Sequence, residues 1–468
     1  MRGSAVNSSG SVGLRPKSRD YERRGTDVQE QQSIGFFKLI KFLESVIYVF
    51  VLFYFSGVIT GIIFPPVSDL SAENPTARLL WFPIYGLVLM LAVMNITHLL
   101  RLAIFNPILI ICLLWCGVSM IWSIDPALTM RRSVAVLMTT LAGLTLAARY
   151  DWDGLVQRLA LIFFIAAIAT VLMVLIKPSQ GLMSEIHIGA WRGPFPEKNY
   201  LGGKMAQGVA VCMCAYAMRP RLFWLWIPAG VLCFVLVIMS TSKTALIVSI
   251  FSIGIFLALR LFRRYPILRL PVLYAFVAAT TILITLYLTI PDELFGIIGK
   301  DATFTGRTDI WSELILAVKA KPIMGYGYGT FWEDPLGPSY AVRQALQWGV
   351  PTAHNGWFET SLSTGIVGIL LFAVFYIIAL FLAFDRIKRG GVEAYWAVLA
   401  VMIFGIFSFS ESTILQQNDL SWLIFVATSS KLFAFERPFW RDGPVLSYAL
   451  GRRDDLRHRR AMQDRRRS

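Results

Sequence analysis

Residues 306–368 read GRTDIWSELILAVKAKPIMGYGYGTFWEDPLGPSYAVRQALQWGVPTAHNGWFETSLSTGIVG, the longest polar interval in an otherwise apolar chain. Within it Ile310, Leu314, Ala317 and Val318 recur at helical spacing, Asp309 falls in the first turn, Lys319 and Lys321 come at the end, and Pro322 stops the helix. Arg307 therefore stands at a helix start, where unsatisfied backbone N–H groups and the positive dipole end favour an anion such as phosphate. Gly325, Gly327 and Gly329 alternate with Tyr326 and Tyr328, but no strand precedes them and no helix signature follows. That excludes a dinucleotide or Walker loop. It leaves a glycine-permitted turn, or a turn whose backbone contacts a ligand. His354, in Ala353-His354-Asn355-Gly356-Trp357, directly precedes an apolar span, which places it at a membrane surface with water on one side.

Outside this interval the composition sets the class. The 468 residues are 56% hydrophobic and 16% charged, with 33 Phe and 14 Trp, beyond what a soluble domain of this length carries. The expected fold is an all-α polytopic membrane protein. Apolar runs of near-spanning length fall at 42–63, 79–97, 105–122, 133–149, 155–176, 201–218, 222–240, 244–262, 270–290, 361–384, 393–410 and 420–435, about twelve transmembrane helices. The domain plan is a disordered basic cytoplasmic tail over 1–38, a transmembrane domain over 39–435 with a large, partly helical periplasmic loop at 291–360, and a second basic cytoplasmic tail over 436–468. The N-terminal residues lack the features of a cleavable signal peptide.

Charge orients the bundle. With the N-terminus inside, short cytoplasmic connections receive Arg101, Arg149, Arg158, Arg219, Arg221, Arg260, Arg263, Arg264, Arg269, Arg386, Lys388 and Arg389, as the positive-inside rule requires. Residues 1–41 carry 8 basic and 4 acidic side chains and residues 431–468 carry 11 and 5, so the tails give +10 of the formal +15. That charge belongs at a membrane surface and not on nucleic acid. The loops 177–200 and 291–360 and the turn Ser240 to Lys243 then share the periplasmic face. Arg131, Arg132, Arg192, Lys198, Lys243 and Arg307 are cations near outer span ends, which suits an anionic substrate entering from the outer leaflet.

Four motifs occur in order: a Gly306-Arg307 helix with Trp311, a Pro322-x-x-Gly325-x-Gly327 turn, and His354-Asn355 leading into a span with Gly365 and Gly368, all preceded by Arg192-Gly193-Pro194-Phe195 with Asn199 ahead of another span. Together they resemble the O-antigen ligase and polysaccharide polymerase superfamily of bacterial inner membranes, over residues 40–435 with the motifs mostly between 190 and 370. Ser240-Thr241-Ser242-Lys243 stands where that family often has Ser-x-Ser-Arg, and Thr364 where it often has Glu, so Thr364 receives no role. The resemblance implies a GT-C-like fold and inverting glycosyl transfer from an undecaprenyl-diphosphate-linked oligosaccharide to an acceptor glycan, in exopolysaccharide or O-antigen biosynthesis. Expected partners are these two substrates, membrane lipid and other polysaccharide assembly proteins. Arg192, Arg307, Lys198 and Lys243 are the implied diphosphate ligands, the arginines offering permanent bidentate charge. His354 is the implied base and Arg307 its catalytic companion.

Other residues narrow the chemistry. Asp151-Trp152-Asp153 imitates a metal-binding carboxylate pair but falls on the expected cytoplasmic side, and Glu333-Asp334 lacks histidine support, so no metal and no cofactor is expected. Cys112, Cys116, Cys212, Cys214 and Cys233 all fall inside expected spans and read as packing. Trp311, Tyr326, Tyr328, Phe331, Trp332, Trp348 and Trp357 read as a small core of the loop or as stacking faces for sugars. Two alternatives remain on sequence: a ligase to lipid A core, and a flippase for the same lipid-linked sugar. The flippase would place polar residues through the midplane, whereas here they gather on the outer side.

Overall fold

A computed structural model describes residues 39–65, 75–184, 187–265, 267, 307–334, 336–389 and 391–434. The chain divides into two units, 1–48 and 49–468. Of the first, residues 39–48 are described and are helical. The tails over 1–38 and 436–468, the expected span 270–290 and the loop as far as residue 306 lie outside the described residues.

Apart from one antiparallel bridge between Leu182 and Trp191, the described residues form helices joined by turns. Residues 39–55 are α1. They are followed by α2 (Val58–Ile63), α3 (Pro75–Leu79), α4 (Trp81–Met94), α5 (Ile96–Phe105), α6 (Pro107–Val118), α7 (Pro126–Arg149), α8 (Trp152–Ile176), α9 (Pro178–Gly181), α10 (Lys198–Met218), α11 (Phe223–Met239) and α12 (Lys243–Arg264). After the undescribed stretch come α13 (Arg307–Ala320), α14 (Ser339–Leu346), α15 (Gly356–Arg389), α16 (Glu393–Ser408) and α17 (Leu420–Phe433).

Five of the described helical stretches are long and apolar enough to cross a membrane: Thr76–Met94, Trp152–Ile176, Pro220–Met239, Lys243–Arg264 and Gly356–Lys388. A sixth follows if α5 and the helix to Ile121, which meet at 91°, form one broken span. The apolar run at 105–122 is thus half of a sharply bent pair, because Pro107 denies its neighbour α5 a continuous hydrogen-bond ladder. Helices α7 and α10 have 24 and 21 residues but are more polar, and they are buried against other helices. Helix α17 is buried from Leu420 to Lys431 on every side, as befits an apolar helix at the centre of a bundle. Phe404 of α16 stacks on Phe425 of α17 at 4.1 Å between centroids, with Phe372 and Phe375 of α15 around them.

Short acidic and amide side chains start the helices that frame the site. Asp125 accepts from the Leu128 N–H at the head of α7, and Asp151 from Gly154 at the head of α8. Asp419 accepts from Ser421 and Trp422 at the head of α17. Each satisfies donors that the first helical turn leaves orphaned. Asp151 is therefore a cap, and Asp153 pairs with Arg219; the motif is occupied structurally.

The polar interval 306–368 closes on a break. Helix α15 is interrupted at Gly365, whose φ of 67° and ψ of −166° fit no helix. The freed backbone is satisfied from outside: Leu362 O accepts from Tyr326 N–H at 2.8 Å, Thr364 O from the Trp115 indole at 3.0 Å, and Ile366 N–H donates to Pro322 O at 2.9 Å. Irregular backbone at this depth requires such partners. A Cβ on Gly365 would lie 2.1 Å from Ile323 O, and one on Gly325 2.6 Å from Leu362 O. The glycines of the Pro322 turn and of the break are thus needed by one another's backbone.

Candidate functional site

His354 is held by its neighbours in sequence and space. Ala353 O accepts from the Trp311 indole at 3.0 Å, and Ala353 N–H donates to Glu359 at 3.1 Å. Glu359 also accepts from the Trp332 indole. Asn355 Oδ1 accepts from the N–H groups of Trp357 and Phe358, capping α15. Between these anchors His354 adopts a positive φ of 45°. The loop beneath is a small core of Ile310, Leu314, Tyr326, Phe331, Trp332 and Val350. Most of its aromatic residues are spent on that core, whereas Trp348 is exposed.

Opposite His354 stands Glu411, on the connection 409–419 between α16 and α17. His354 Nδ1 lies 3.6 Å from Glu411 Oε2, too far for a hydrogen bond but close enough to hold a protonated imidazole. That nitrogen is buried and makes no hydrogen bond. Arg307 donates from Nη1 to Ser410 O at 2.7 Å and from Nη2 to Glu411 Oε1 at 3.2 Å. Arg307 and His354, 47 residues apart by their numbers, thus share one carboxylate.

Glu197, the residue before α10, completes a cluster: with His354 and Glu411 it offers ligand atoms within 4.8 Å of one another. Burial raises the Glu197 carboxyl above its usual range, Glu411 adds to the rise, and His354, Arg307 and Lys198 oppose it. The carboxylate pair that local spacing fails to show is made by tertiary structure. These three side chains are the described residues that could hold a divalent cation, and Arg307 stands beside one of them. A cavity of about 210 Å³ opens here, with Lys204 and Asp419 among its lining. Lys204 Nζ is 2.6 Å from Asp419 Oδ2, both side chains under a tenth exposed, and it also donates to Ser421 at 2.9 Å.

The other expected diphosphate ligands are placed less centrally. Arg192 donates from Nε to Gln180 O at 2.9 Å within its own loop. Lys198 donates to Thr241 at 3.3 Å, which joins the 187–200 loop to the Ser240–Lys243 turn, and Trp191 N–H reaches Met239 O. Lys243 begins α12 beside that turn. None of the four expected diphosphate ligands, Arg192, Lys198, Lys243 and Arg307, lines the cavity itself, and Arg307 reaches it through Glu411.

A larger cavity of about 480 Å³ adjoins it, sharing Pro196, Pro351, Thr352, Ser412 and Gln416 as a common wall. Its lining includes Arg132, which pairs with Glu333 and donates to Gly329 O.

The sequence reading missed the connection 409–419. It supplies Glu411 and Ser410 to Arg307, Leu415 O and Gln417 to the Tyr328 hydroxyl, Asn418 to Tyr85 and to Thr139, and Asp419 to Lys204. The available signal was the run Gln416-Gln417-Asn418-Asp419 between two apolar helices, where a plain turn needs fewer polar groups.

Comparison with known proteins agrees with the earlier resemblance. Residues 228–373 match the sequence profile of a family described as O-Antigen ligase; that region contains Arg307, His354 and Lys243, while Glu197 and Glu411 lie outside it. The chain is also 25% identical over 291 residues to the "Exopolysaccharide production protein ExoQ" of Rhizobium meliloti (strain 1021), covering 58% of this chain and 63% of that protein.

Proposed function

This chain belongs to the O-antigen ligase and polymerase superfamily, and from that premise we propose that it is a polysaccharide polymerase. The reaction moves an oligosaccharide from undecaprenyl diphosphate to an acceptor glycan at the outer face of a bacterial inner membrane. The observation that carries the reading is the meeting of Arg307 and His354 on one carboxylate, Glu411, from three separate segments, with His354 and Glu411 lining one cavity.

The chemistry follows from the groups. An acceptor hydroxyl attacks the anomeric carbon, its proton passes to the imidazole of His354, and the bond from that carbon to the diphosphate oxygen breaks with its electron pair leaving on the diphosphate. Attack opposite the leaving group inverts the anomeric centre. Glu411 stabilises the imidazolium as it forms. Arg307 faces the departing charge with the guanidinium N–H groups that Ser410 and Glu411 do not engage. Lys198 and Lys243 add positive potential along the entry, and Arg192 orders the 177–200 loop. The proposal requires no metal: a divalent ion among Glu197, His354 and Glu411 would sit against the Arg307 cation, a repulsion that weak screening in a partly buried site leaves strong.

The relative's printed association with exopolysaccharide production favours chain growth over transfer to lipid A core. The test is incubation of the purified protein with lipid-linked repeat units in EDTA. Growth of lipid-linked chains supports the polymerase; transfer only to added lipid A core identifies a ligase, and rescue by Mg²⁺ or Mn²⁺ would remove the metal-independent mechanism.

A further inference from the structure

The larger cavity has no part in the chemistry above, and its size falls in the range of about 300–1,000 Å³ typical of small-ligand sites, at about 480 Å³. Its walls are about as polar as they are apolar. Arg132 and Arg343 face Glu333 and Glu359 in number, and Arg132 is already paired with Glu333. Balanced charge of this kind repels neither sign and attracts neither strongly, so a diphosphate gains little there. These groups already hold protein partners, Arg343 donating to Trp332 O and Glu359 accepting from the Trp332 indole and the Ala353 N–H; a lipid tail would strip water from their remaining hydrogen-bonding positions, at a cost for each buried polar atom. A hydroxyl-rich, uncharged ligand satisfies them.

The cavity is also built in advance. Tyr328 N–H donates to Ser119 at 3.0 Å, Ile124 N–H to Tyr326 O at 3.0 Å, and the Tyr328 hydroxyl to Gln417 at 3.0 Å. Three distant segments are thereby locked around it. At the wall shared with the smaller cavity, Ser412 carries a buried hydroxyl with no hydrogen-bond partner among the described residues. A buried hydroxyl without a partner is costly unless a ligand or water completes it.

We propose that the larger cavity is the acceptor subsite, holding the terminal sugars of an uncharged glycan so that its attacking hydroxyl crosses the Ser412–Thr352 wall to His354. This rests on the transferase reading and adds to it the acceptor's class and place. The smaller cavity then receives the anomeric end of the donor.

The test uses the full-length protein in lipid nanodiscs and thiol labelling with an impermeant maleimide. The five native cysteines are buried, so introduced thiols report alone. Gln417→Cys and Glu333→Cys probe the larger cavity and Asn199→Cys the smaller. The two probes are the oligosaccharide released from the host's own lipid-linked repeat unit, and undecaprenyl diphosphate. The oligosaccharide is expected to slow labelling of Gln417→Cys and Glu333→Cys severalfold while leaving Asn199→Cys labelled, and undecaprenyl diphosphate to do the reverse. Protection of the larger cavity by undecaprenyl diphosphate, or by neither probe in variants that keep the wild-type elution profile, overturns the proposal. Chain growth is measured in parallel. Protection without chain growth would reject the transferase reading and leave the glycan site standing; chain growth without protection would do the opposite.

Discussion

At the scale of residues, His354, Glu411 and Arg307 have separable tasks. His354→Ala removes the proton acceptor and is expected to lower turnover by about 10²–10⁴-fold while lipid-linked donor still binds. Arg307→Lys keeps the charge but loses the planar fork that reaches Ser410 and Glu411, so most activity is expected to go with it. Both are read from binding and turnover on the purified variants. Glu197 offers a test by pH. Its folded carboxyl titrates above the unfolded one, chiefly through burial, so its ionised form destabilises the fold above the raised value, and that penalty is relieved as pH falls through it. Glu197→Gln is expected to raise the melting temperature at neutral pH, by an amount that shrinks through this window and vanishes below the ordinary carboxylate range. A gain independent of pH would contradict this account of Glu197.

At the scale of elements, two features hold the site in place. The break in α15 depends on Gly365: Gly365→Ala puts a Cβ against Ile323 O in a backbone region that L residues rarely occupy, a strain of about 1–3 kcal/mol before the clash is counted. The expected result is a protein that melts earlier and loses activity, whereas Gly86→Ala, inside α4 with nothing within 4 Å of the added Cβ, is expected to do neither. The Lys204–Asp419 pair joins α10 to the cap of α17. Lys204→Met leaves Asp419 buried without its ion-pair partner, held by the Ser421 and Trp422 N–H groups, a loss of at most about 3–5 kcal/mol, and thermal melts of Lys204→Met beside Lys204→Met with Asp419→Asn would show partial recovery in the double variant. Of these elements the sequence revealed the α13 helix, its stop at Pro322 and the apolar body of α15, because periodicity and proline act locally. The break at Gly365 was legible only as a glycine in a motif. Its cause is the approach of a distant turn, which no local pattern records. Glu411 stayed hidden for the same reason: its importance comes from residues 104 positions away.

At the scale of the molecule, the loops 177–200 and 291–360, which charge alternation is expected to place on one face, both contribute residues to the two cavities. The opposite end carries Arg219 against Asp153, Arg386 against Glu393, and Lys431 donating to Ala147 O and Tyr150 O. The expected periplasmic placement of the site is tested by single cysteines at Ile188, Tyr340, Phe223 and Lys388, all exposed in the fold. The first two are expected to react with an impermeant reagent applied to the periplasm, and the last two only after the membrane is opened; reaction at Lys388 from outside would invert the arrangement. Composition and charge were sufficient to recognise a helical membrane protein, because they sum over many residues. The cavities were not legible, since each draws its wall from segments that fold together only in three dimensions.

The most direct measurement is a single-turnover assay of the purified protein and its His354→Ala variant, with donor prebound and acceptor added. The wild type is expected to release undecaprenyl diphosphate with inversion at the transferred sugar. The variant is expected to bind donor equally and transfer it at least about a hundredfold more slowly. Transfer by the variant at the wild-type rate would contradict a mechanism in which His354 takes the acceptor's proton.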